Sequence, residues 1–134
     1  MDSAVWFTLG LFAQHFVVAV GVTLAFGLVY VLATPHKELE LIRAGNTAAA
    51  VGFLGVMIGY TLQINLVFSV TPDPIEALVW GLVALAVQLT AHVASRFVMP
   101  KLSDDIVAGK MSAGVVQGGL GIVVGLLGAA SLTP

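Results

Sequence analysis

The sequence contains no cysteine, and only 9% of its 134 residues are charged. The absence of cysteine excludes disulfides, thiolate metal sites, iron–sulfur clusters and cysteine nucleophiles. A soluble domain carries about 25% charged residues, so this chain has too few charges to cover a surface that faces water. Its hydrophobic content of 59% therefore predicts an integral membrane protein. The length predicts a single membrane domain over residues 1–134.

The apolar residues fall into four long segments. A membrane-spanning helix needs about 20 mostly apolar residues. The segments run from Val5 to Ala33, from Gly45 to Val70, from Ile75 to Met99 and from Lys110 to Leu132. Their apolar runs are continuous and too long for the strands of a membrane barrel. The first lacks a basic flank and exceeds the apolar core of a signal peptide, so we expect it to be retained. The sequence thus predicts an all-α, polytopic membrane protein with four transmembrane helices.

The positive charges predict how these helices cross the membrane. Lys37 and Arg43 lie near the loop between the first two spans, and Arg96, Lys101 and Lys110 lie near the loop between the last two. The opposite side carries no lysine or arginine. Because positively charged loops stay in the cytoplasm, we expect both loops to be cytoplasmic. Both termini are then periplasmic or extracellular.

The chain also resembles itself when it is shifted by 64 residues, which places Ile42 on Ile106 and Gly45 on Gly109. Further matched pairs are Lys37 with Lys101, Glu40 with Asp104 and Gly55 with Gly119. Each unit contains two helices, so both units insert in the same orientation and form a parallel repeat. We therefore predict two tandem helical hairpins, with repeat one over residues 1–70 and repeat two over residues 71–134, approximately.

Each repeat contains an acidic turn followed by a glycine-rich helix, in the stretches ELIRAGNTAAAVGFLGVMIGY and DDIVAGKMSAGVVQGGLGIVVG. These stretches resemble the bacterial family of domain of unknown function 350, the YjfL-like inner-membrane proteins. The resemblance covers essentially the whole chain. It implies a four-helix protein of the bacterial inner (plasma) membrane and implies no activity. The second repeat has Lys110 where the first has Asn46, so any role of Asn46 is expected to be missing from the second half.

Small residues recur at steps of three or four along the second and fourth spans, which puts them on one face of each helix. In lipid, such stripes allow helix backbones to approach closely. The stripes consist of Gly45, Ala48, Gly52, Gly55 and Gly59, and of Gly114, Gly118, Gly121, Gly125 and Gly128. Two interpretations remain open. Both stripes pack the four-helix bundle, or one stripe lies on a different face and mediates a homo-oligomer.

Polar side chains within the spans are the usual functional candidates of a membrane protein. The candidates for a polar path are Gln14, His15, Gln88, His92, Ser95 and Gln117. The alternative is that they are interhelical hydrogen bonds that fix the bundle. No acidic residue or lysine lies deep in a predicted span, unlike in a small proton-coupled exporter. His15 and His92 differ in depth by about 10 Å at about 1.5 Å per residue, so we expect no haem, and no other metal or cofactor.

The predicted cytoplasmic loops carry most of the remaining charge. The charged residues there are Lys37, Glu40, Arg43, Lys101, Asp104 and Asp105. The segment His36–Arg43 is a solvated loop, a short interfacial helix or a docking site for a soluble partner, and His36 is expected to be interfacial. The chain has no basic cluster of the kind that binds nucleic acid.

These observations leave two functional hypotheses. The first is a small transport or channel subunit, acting as a homo-oligomer in the lipid bilayer, with a polar path inside the membrane. The alternative is a membrane anchor or assembly subunit whose cytoplasmic loops recruit a soluble protein. The sequence has no nucleotide-binding loop, Ser/His/Asp set or pair of catalytic carboxylates, so we expect no enzyme.

Overall fold

The computed structural model describes residues 2–132, and these residues form an all-helical chain. The helices are α1 (Ser3–Ala33), α2 (Glu38–Arg43), α3 (Thr47–Val70), α4 (Pro74–Val98), α5 (Leu102–Val107) and α6 (Met111–Leu132). Helices α1, α3, α4 and α6 are long and apolar enough to cross a membrane. The predicted all-α class and the four spans are therefore confirmed. Helices α2 and α5 lie together at one end of the bundle, which we call the α2/α5 end.

The ends of the helices follow from local chemistry. Pro35 follows α1 and lacks the backbone donor that a continuing helix needs. At the other end of the bundle, the Asp73 side chain accepts a hydrogen bond of 3.0 Å from the Ile75 amide. Pro74 occupies the first turn of α4, where a missing donor costs nothing.

Two glycines end the short helices in the same way. Gly45 follows α2 with a φ of 89°, and Gly109 follows α5 with a φ of 78°. In each turn the glycine amide donates to the carbonyl three residues earlier, and the next amide donates to the carbonyl five residues earlier. This is the Schellman motif, which favours glycine at the left-handed position. The two turns reverse the chain so that α3 and α6 begin at the same end of the bundle.

The local geometry of the two halves recurs at the shift of 64 residues. Helices α2 and α5, the glycine turns, and the first residues of α3 and α6 all match at that spacing. Helices α1 and α4 do not match at the shift of 64 residues, because α1 begins at Ser3 and α4 begins at Pro74. The tandem duplication itself, and the division into two repeats, stay predictions.

Helices α3 and α6 form the centre of the bundle and touch backbone to backbone. Gly55 of α3 lies directly against Gly118 of α6. A Cβ atom at Gly118 would lie 2.7 Å from the Val51 carbonyl oxygen, and a Cβ atom at Gly121 would lie 2.7 Å from the Val56 Cα. Both distances are below 3.0 Å, a separation that a Cβ atom essentially never has from a non-bonded atom. Only glycine therefore permits this helix separation, as in other small-residue interfaces in lipid.

The two glycine stripes face each other within one chain. Gly114 packs on the backbone of Ala48, and Gly125 packs on Gly59. The interpretation that one stripe lies on a different face and is free for a second protomer is therefore wrong. The repeat alignment placed the two stripes on different faces of the repeat unit. In the structure, α3 and α6 each turn their own glycine face toward the other helix. Gly45 does not belong to a stripe, because it lies in the turn before α3 with open space around its Cα.

Helix α1 packs on the bundle through its second half. Phe26 stacks on Tyr60 of α3, with 4.2 Å between the ring centroids. Tyr60 also donates a hydrogen bond of 3.0 Å to the Gly81 carbonyl of α4. At the α2/α5 end, the buried side chains of Leu102 and Ile106 on α5 pack with small residues of α3 and α6. These contacts close that end of the bundle with apolar side chains.

Candidate functional site

The interior of the bundle contains two groups of buried polar side chains. The first, which we call the Gln88 layer, joins Gln88 of α4 to Gln63 of α3 and to two backbone carbonyls. The Gln88 Nε2 donates to the carbonyls of Val56 (3.1 Å) and Gly121 (2.8 Å), and its Oε1 accepts from Gln63 Nε2 (2.9 Å). Every hydrogen-bonding atom of Gln88 is therefore used. The layer ties α3, α4 and α6 together, as interhelical hydrogen bonds do in lipid.

The second group lies at the α2/α5 end, and we call it the Glu38 cluster: Tyr30, His36, Glu38, His92 and Gln117. The Glu38 Oε1 accepts hydrogen bonds from His36 Nε2 (2.9 Å) and from Gln117 Nε2 (3.0 Å). The Gln117 Nε2 also donates to the Tyr30 hydroxyl. The Glu38 side chain is 0% exposed, so a carboxyl group lies fully buried in a chain with few charges.

Five different segments contribute to the cluster, and His92 is the contribution of α4. Tyr30 comes from the last turn of α1, and Glu38 is the first residue of α2. His36 lies in the loop between them, where its Nδ1 is 3.1 Å from the Ser103 Oγ of α5. Gln117 of α6 occupies the space that a side chain at Gly52 would need, since a Cβ there would lie 3.2 Å from the Gln117 amide. The glycine on α3 therefore makes room for this amide.

The cluster contains polar atoms that have no partner. Among the side chains of residues 2–132, the buried nitrogen and oxygen atoms without a hydrogen bond are Glu38 Oε2, Gln117 Oε1 and both ring nitrogens of His92. His92 lies edge-on to Tyr30, with 5.9 Å between the ring centroids, and lies within electrostatic range of His36 and Glu38. An unpaired buried polar group costs about 1–3 kcal/mol. Such a concentration at one place marks a candidate site, because native cores otherwise pair these groups.

The predicted polar path is only partly brought together. Gln88, His92, Ser95 and Gln117 are all buried, but they divide between the two groups. Gln88 belongs to its own layer, whereas Gln117 and His92 belong to the Glu38 cluster. The Ser95 hydroxyl donates to the Ala91 carbonyl of its own helix, at 2.8 Å.

Gln14 and His15 lie apart from these groups, and their place in the predicted path is corrected by the structure. Gln14 is exposed and His15 is half-buried on the first half of α1. The His15 Nδ1 is 2.8 Å from the Leu11 carbonyl of its own helix, and the ring contacts Phe68 of α3 edge-on. The physical reason is that α1 packs into the bundle through its second half, whereas these residues belong to its first.

The most buried acid was missed by the sequence analysis because it lies outside the apolar runs. The sequence predicted no carboxylate deep in a span, and Glu38 is indeed outside the spans but is fully buried. His36, expected to be interfacial, is 5% exposed. The available signal was the short connection of residues 34–37, which cannot carry Glu38 away from the end of the bundle.

Most of the predicted loop charges lie on the surface of the α2/α5 end. Lys37 and Glu40 form an exposed pair with 3.6 Å between Nζ and Oε1. Lys110 donates to Asp105 at 2.8 Å, and this hydrogen bond and the carboxylate charge raise the pKa of Lys110. The other charges, Arg43, Lys101 and Asp104, are exposed.

Asn46 has a defined structural role in the first half. Its Oδ1 accepts from the Ala49 amide (3.0 Å) and caps α3, and its Nδ2 donates to the Ile106 carbonyl of α5 (2.7 Å). Lys110, at the matching position, pairs with Asp105 instead. The two halves therefore use different side chains at the same turn.

Comparison with known proteins gives the family. A family model described as Domain of Unknown Function (DUF350) matches residues 4–132. The chain is 31% identical over 122 residues to the UPF0719 inner membrane protein YjfL of Escherichia coli strain K12. The aligned stretch covers 91% of this chain and 92% of the relative. The protein of the same description from Escherichia coli O157:H7 matches equally. No solved structure matches this chain.

This chain belongs to the DUF350 family. The resemblance noted in the two glycine-rich stretches is thereby confirmed. As a DUF350 member related to an inner membrane protein and carrying four apolar helices, it is a small multi-pass protein of the inner membrane. The orientation of its termini stays a prediction.

Proposed function

We propose that this DUF350 protein is a transport subunit of the inner membrane and that the Glu38 cluster is its working site. One observation carries the proposal. Glu38 is a fully buried carboxyl group with one oxygen, Oε2, that has no partner among the described residues. Ionisable groups in the interior of a membrane protein are costly, and they mark substrate and ion pathways in transporters.

The contrast with the Gln88 layer supports this function over a passive anchor. An anchor needs interior polar groups only as paired links between helices, and the Gln88 layer has that character. In the Glu38 cluster, by contrast, three neighbouring side chains keep unpaired atoms: Glu38, Gln117 and His92. A purely structural cluster would gain stability by pairing or losing these atoms.

The Gln88 layer defines what transport requires. Gln88 bridges α3, α4 and α6 through three hydrogen bonds, and the backbones of α3 and α6 touch beside it. Passage beyond the Glu38 cluster therefore needs α4 to move away from α3 and α6. We propose that the layer is the closed gate of the path and that no covalent chemistry is involved.

Ion flux through reconstituted protein tests the proposal. The protein is inserted into liposomes, and the movement of H⁺, Na⁺ and K⁺ is followed with fluorescent indicators. We expect flux above that of empty liposomes, and a loss of at least about tenfold in Glu38→Gln. The matched control is Glu40→Gln, an exposed glutamate of the same helix, which should keep the flux. Equal rates in protein-containing and empty liposomes would refute transport.

A second candidate function is a membrane anchor that docks a soluble protein at the α2/α5 end. It is favoured by two apolar side chains on that surface, Leu39 (45% exposed) and Val107 (54% exposed), which lie among the loop charges. A photo-crosslinking residue at Leu39 should then capture one defined soluble protein, and Arg43→Glu should prevent it. Under this function Glu38→Gln leaves the crosslink unchanged and flux is absent from the start.

A further inference from the structure

We propose that the Glu38 cluster binds one monovalent cation between the Glu38 Oε2 and the Gln117 Oε1. This inference rests on the proposed function, because it names the class of species that the same site takes. Glu38 Oε1 and Gln117 Nε2 are joined by a hydrogen bond of 3.0 Å. The two unpaired oxygens therefore belong to side chains that are held against each other, and both are fully buried.

The orientation of the Gln117 amide follows from its partners. A carboxylate only accepts hydrogen bonds, whereas an amide nitrogen donates two. The Gln117 nitrogen uses both donors, one to Glu38 and one to the Tyr30 hydroxyl. Turning the amide over would bring its oxygen against the Glu38 carboxylate and lose that hydrogen bond, because a carboxylate only accepts, although the Tyr30 hydroxyl could then donate to the oxygen. The unpaired atom of Gln117 is therefore an oxygen, and the site presents two acceptors.

The charge of the cluster favours a single positive charge. An ionised Glu38 contributes one negative charge, and a buried charge requires a nearby opposite charge. His36 can make both of its hydrogen bonds as a neutral ring, donating from Nε2 to Glu38 and accepting at Nδ1 from the Ser103 hydroxyl. Arg96, whose charge also reaches His92, is exposed. When His36 is neutral, one monovalent cation neutralises the cluster, whereas a divalent ion would leave a net buried charge. A protonated His36 would instead pair with Glu38 across the 2.9 Å contact and compete with the cation.

The ligand atoms define the chemical class of the cation. Carboxylate and amide oxygens suit hard cations, and the described residues contain no group of three or more His, Cys, Asp or Glu side chains that could hold a metal ion. This argues against a transition metal. The neighbouring His92 ring, with both nitrogens unpaired, offers an acceptor to an N–H donor. The cation is therefore an alkali metal ion or an ammonium group, and the experiment distinguishes the two.

Thermal unfolding in different chloride salts tests the inference. The purified protein in detergent is heated in NaCl, KCl, NH₄Cl or N-methylglucamine chloride at equal ionic strength, and tryptophan fluorescence is recorded. A bound cation raises Tm by mass action, by about 5 °C at ten times its Kd. We expect such a rise, relative to N-methylglucamine, in Na⁺ or K⁺ for an alkali site and in NH₄⁺ alone for an ammonium site. Equal Tm values in all four salts would overturn the inference.

Variants separate the site from general salt effects. Glu38→Gln should abolish the cation-dependent rise, and the exposed control Glu40→Gln should keep it. If Glu38→Gln does not fold, Gln117→Leu removes the second oxygen and should weaken the response at least about tenfold in cation concentration. A response that survives both Glu38→Gln and Gln117→Leu would place the cation elsewhere and would also overturn the inference.

The two proposals fail in different ways. Cation-dependent stabilisation that depends on Glu38, without ion flux in liposomes, supports the binding site and refutes the transport function. Flux that depends on Glu38, without any difference between the four salts, refutes the monovalent cation site and leaves the transport function standing.

Discussion

The replacement Gly118→Ala tests the contact at the centre of the bundle, and the chain provides its own control. A Cβ at Gly118 would lie 2.7 Å from the Val51 carbonyl oxygen, whereas a Cβ at the neighbouring Gly119 meets nothing within 4 Å. Both substitutions gain the same helix propensity, about 1 kcal/mol in a soluble host. Their difference in unfolding free energy therefore isolates the cost of overpacking, which is about 1–3 kcal/mol.

The assay is thermal unfolding of the purified variants in the same detergent. For a chain of this size, each kcal/mol corresponds to about 3–5 °C in Tm. We expect Gly118→Ala to unfold about 3–15 °C below Gly119→Ala. A Tm for Gly118→Ala that equals or exceeds that of Gly119→Ala would refute the close approach of α3 and α6, because the added methyl group would then have space.

Three further predictions concern other parts of the molecule. Asn46→Ala should lower the unfolding free energy by about 1–2 kcal/mol, because α3 loses its cap and α5 loses a hydrogen bond; chemical denaturation measures this, and an unchanged midpoint contradicts it. Gln88→Leu should destabilise the bundle by about 1–3 kcal/mol because Gln63 loses its buried partner, and a stability equal to that of the natural chain in the same assay would argue against the Gln88 layer. The chain has no cysteine, so single cysteines at Arg43 and Asp73 can be labelled with impermeant reagents. Arg43→Cys should react only from the cytoplasm and Asp73→Cys only from the periplasm, and the reversed pattern of labelling contradicts the predicted orientation.

The fold was largely predictable because the bilayer imposes simple requirements. Continuous apolar runs of sufficient length form helices in lipid, and Pro35, Pro72 and Pro100 follow the ends of α1, α3 and α4. The short helices α2 and α5 were less visible. A helix of six residues with mixed polarity leaves only a weak periodic signal. For this reason only the segment His36–Arg43 suggested a short helix, and α5 was not foreseen. The ends of α2 and α5 were encoded by Gly45 and Gly109, whose role depends on a positive φ that the alignment of repeats did not reveal.

The site was harder to predict, since it depends on which residues meet across different helices. Gln88, His92 and Ser95 were predicted as candidates for the polar path because they are polar residues within a span. Their division between a paired layer and the Glu38 cluster was not predicted, because that division depends on how Tyr30 and Gln117 approach from α1 and α6. A charged residue outside the spans carries no sign of burial by itself, so nothing in the sequence distinguished Glu38 from its exposed neighbours.

The small residues connect the fold to the proposed site. Backbone contact between α3 and α6 leaves little space between these helices, and Gly52 provides the gap that Gln117 occupies. The Gln117 amide then reaches Glu38 from the centre of the bundle. A larger residue at Gly52 would displace the amide and leave Glu38 with one hydrogen bond fewer, without touching the carboxylate itself. The glycine stripe therefore stabilises the bundle and also orients the oxygen that we assign to the cation, so packing and binding depend on the same helix separation.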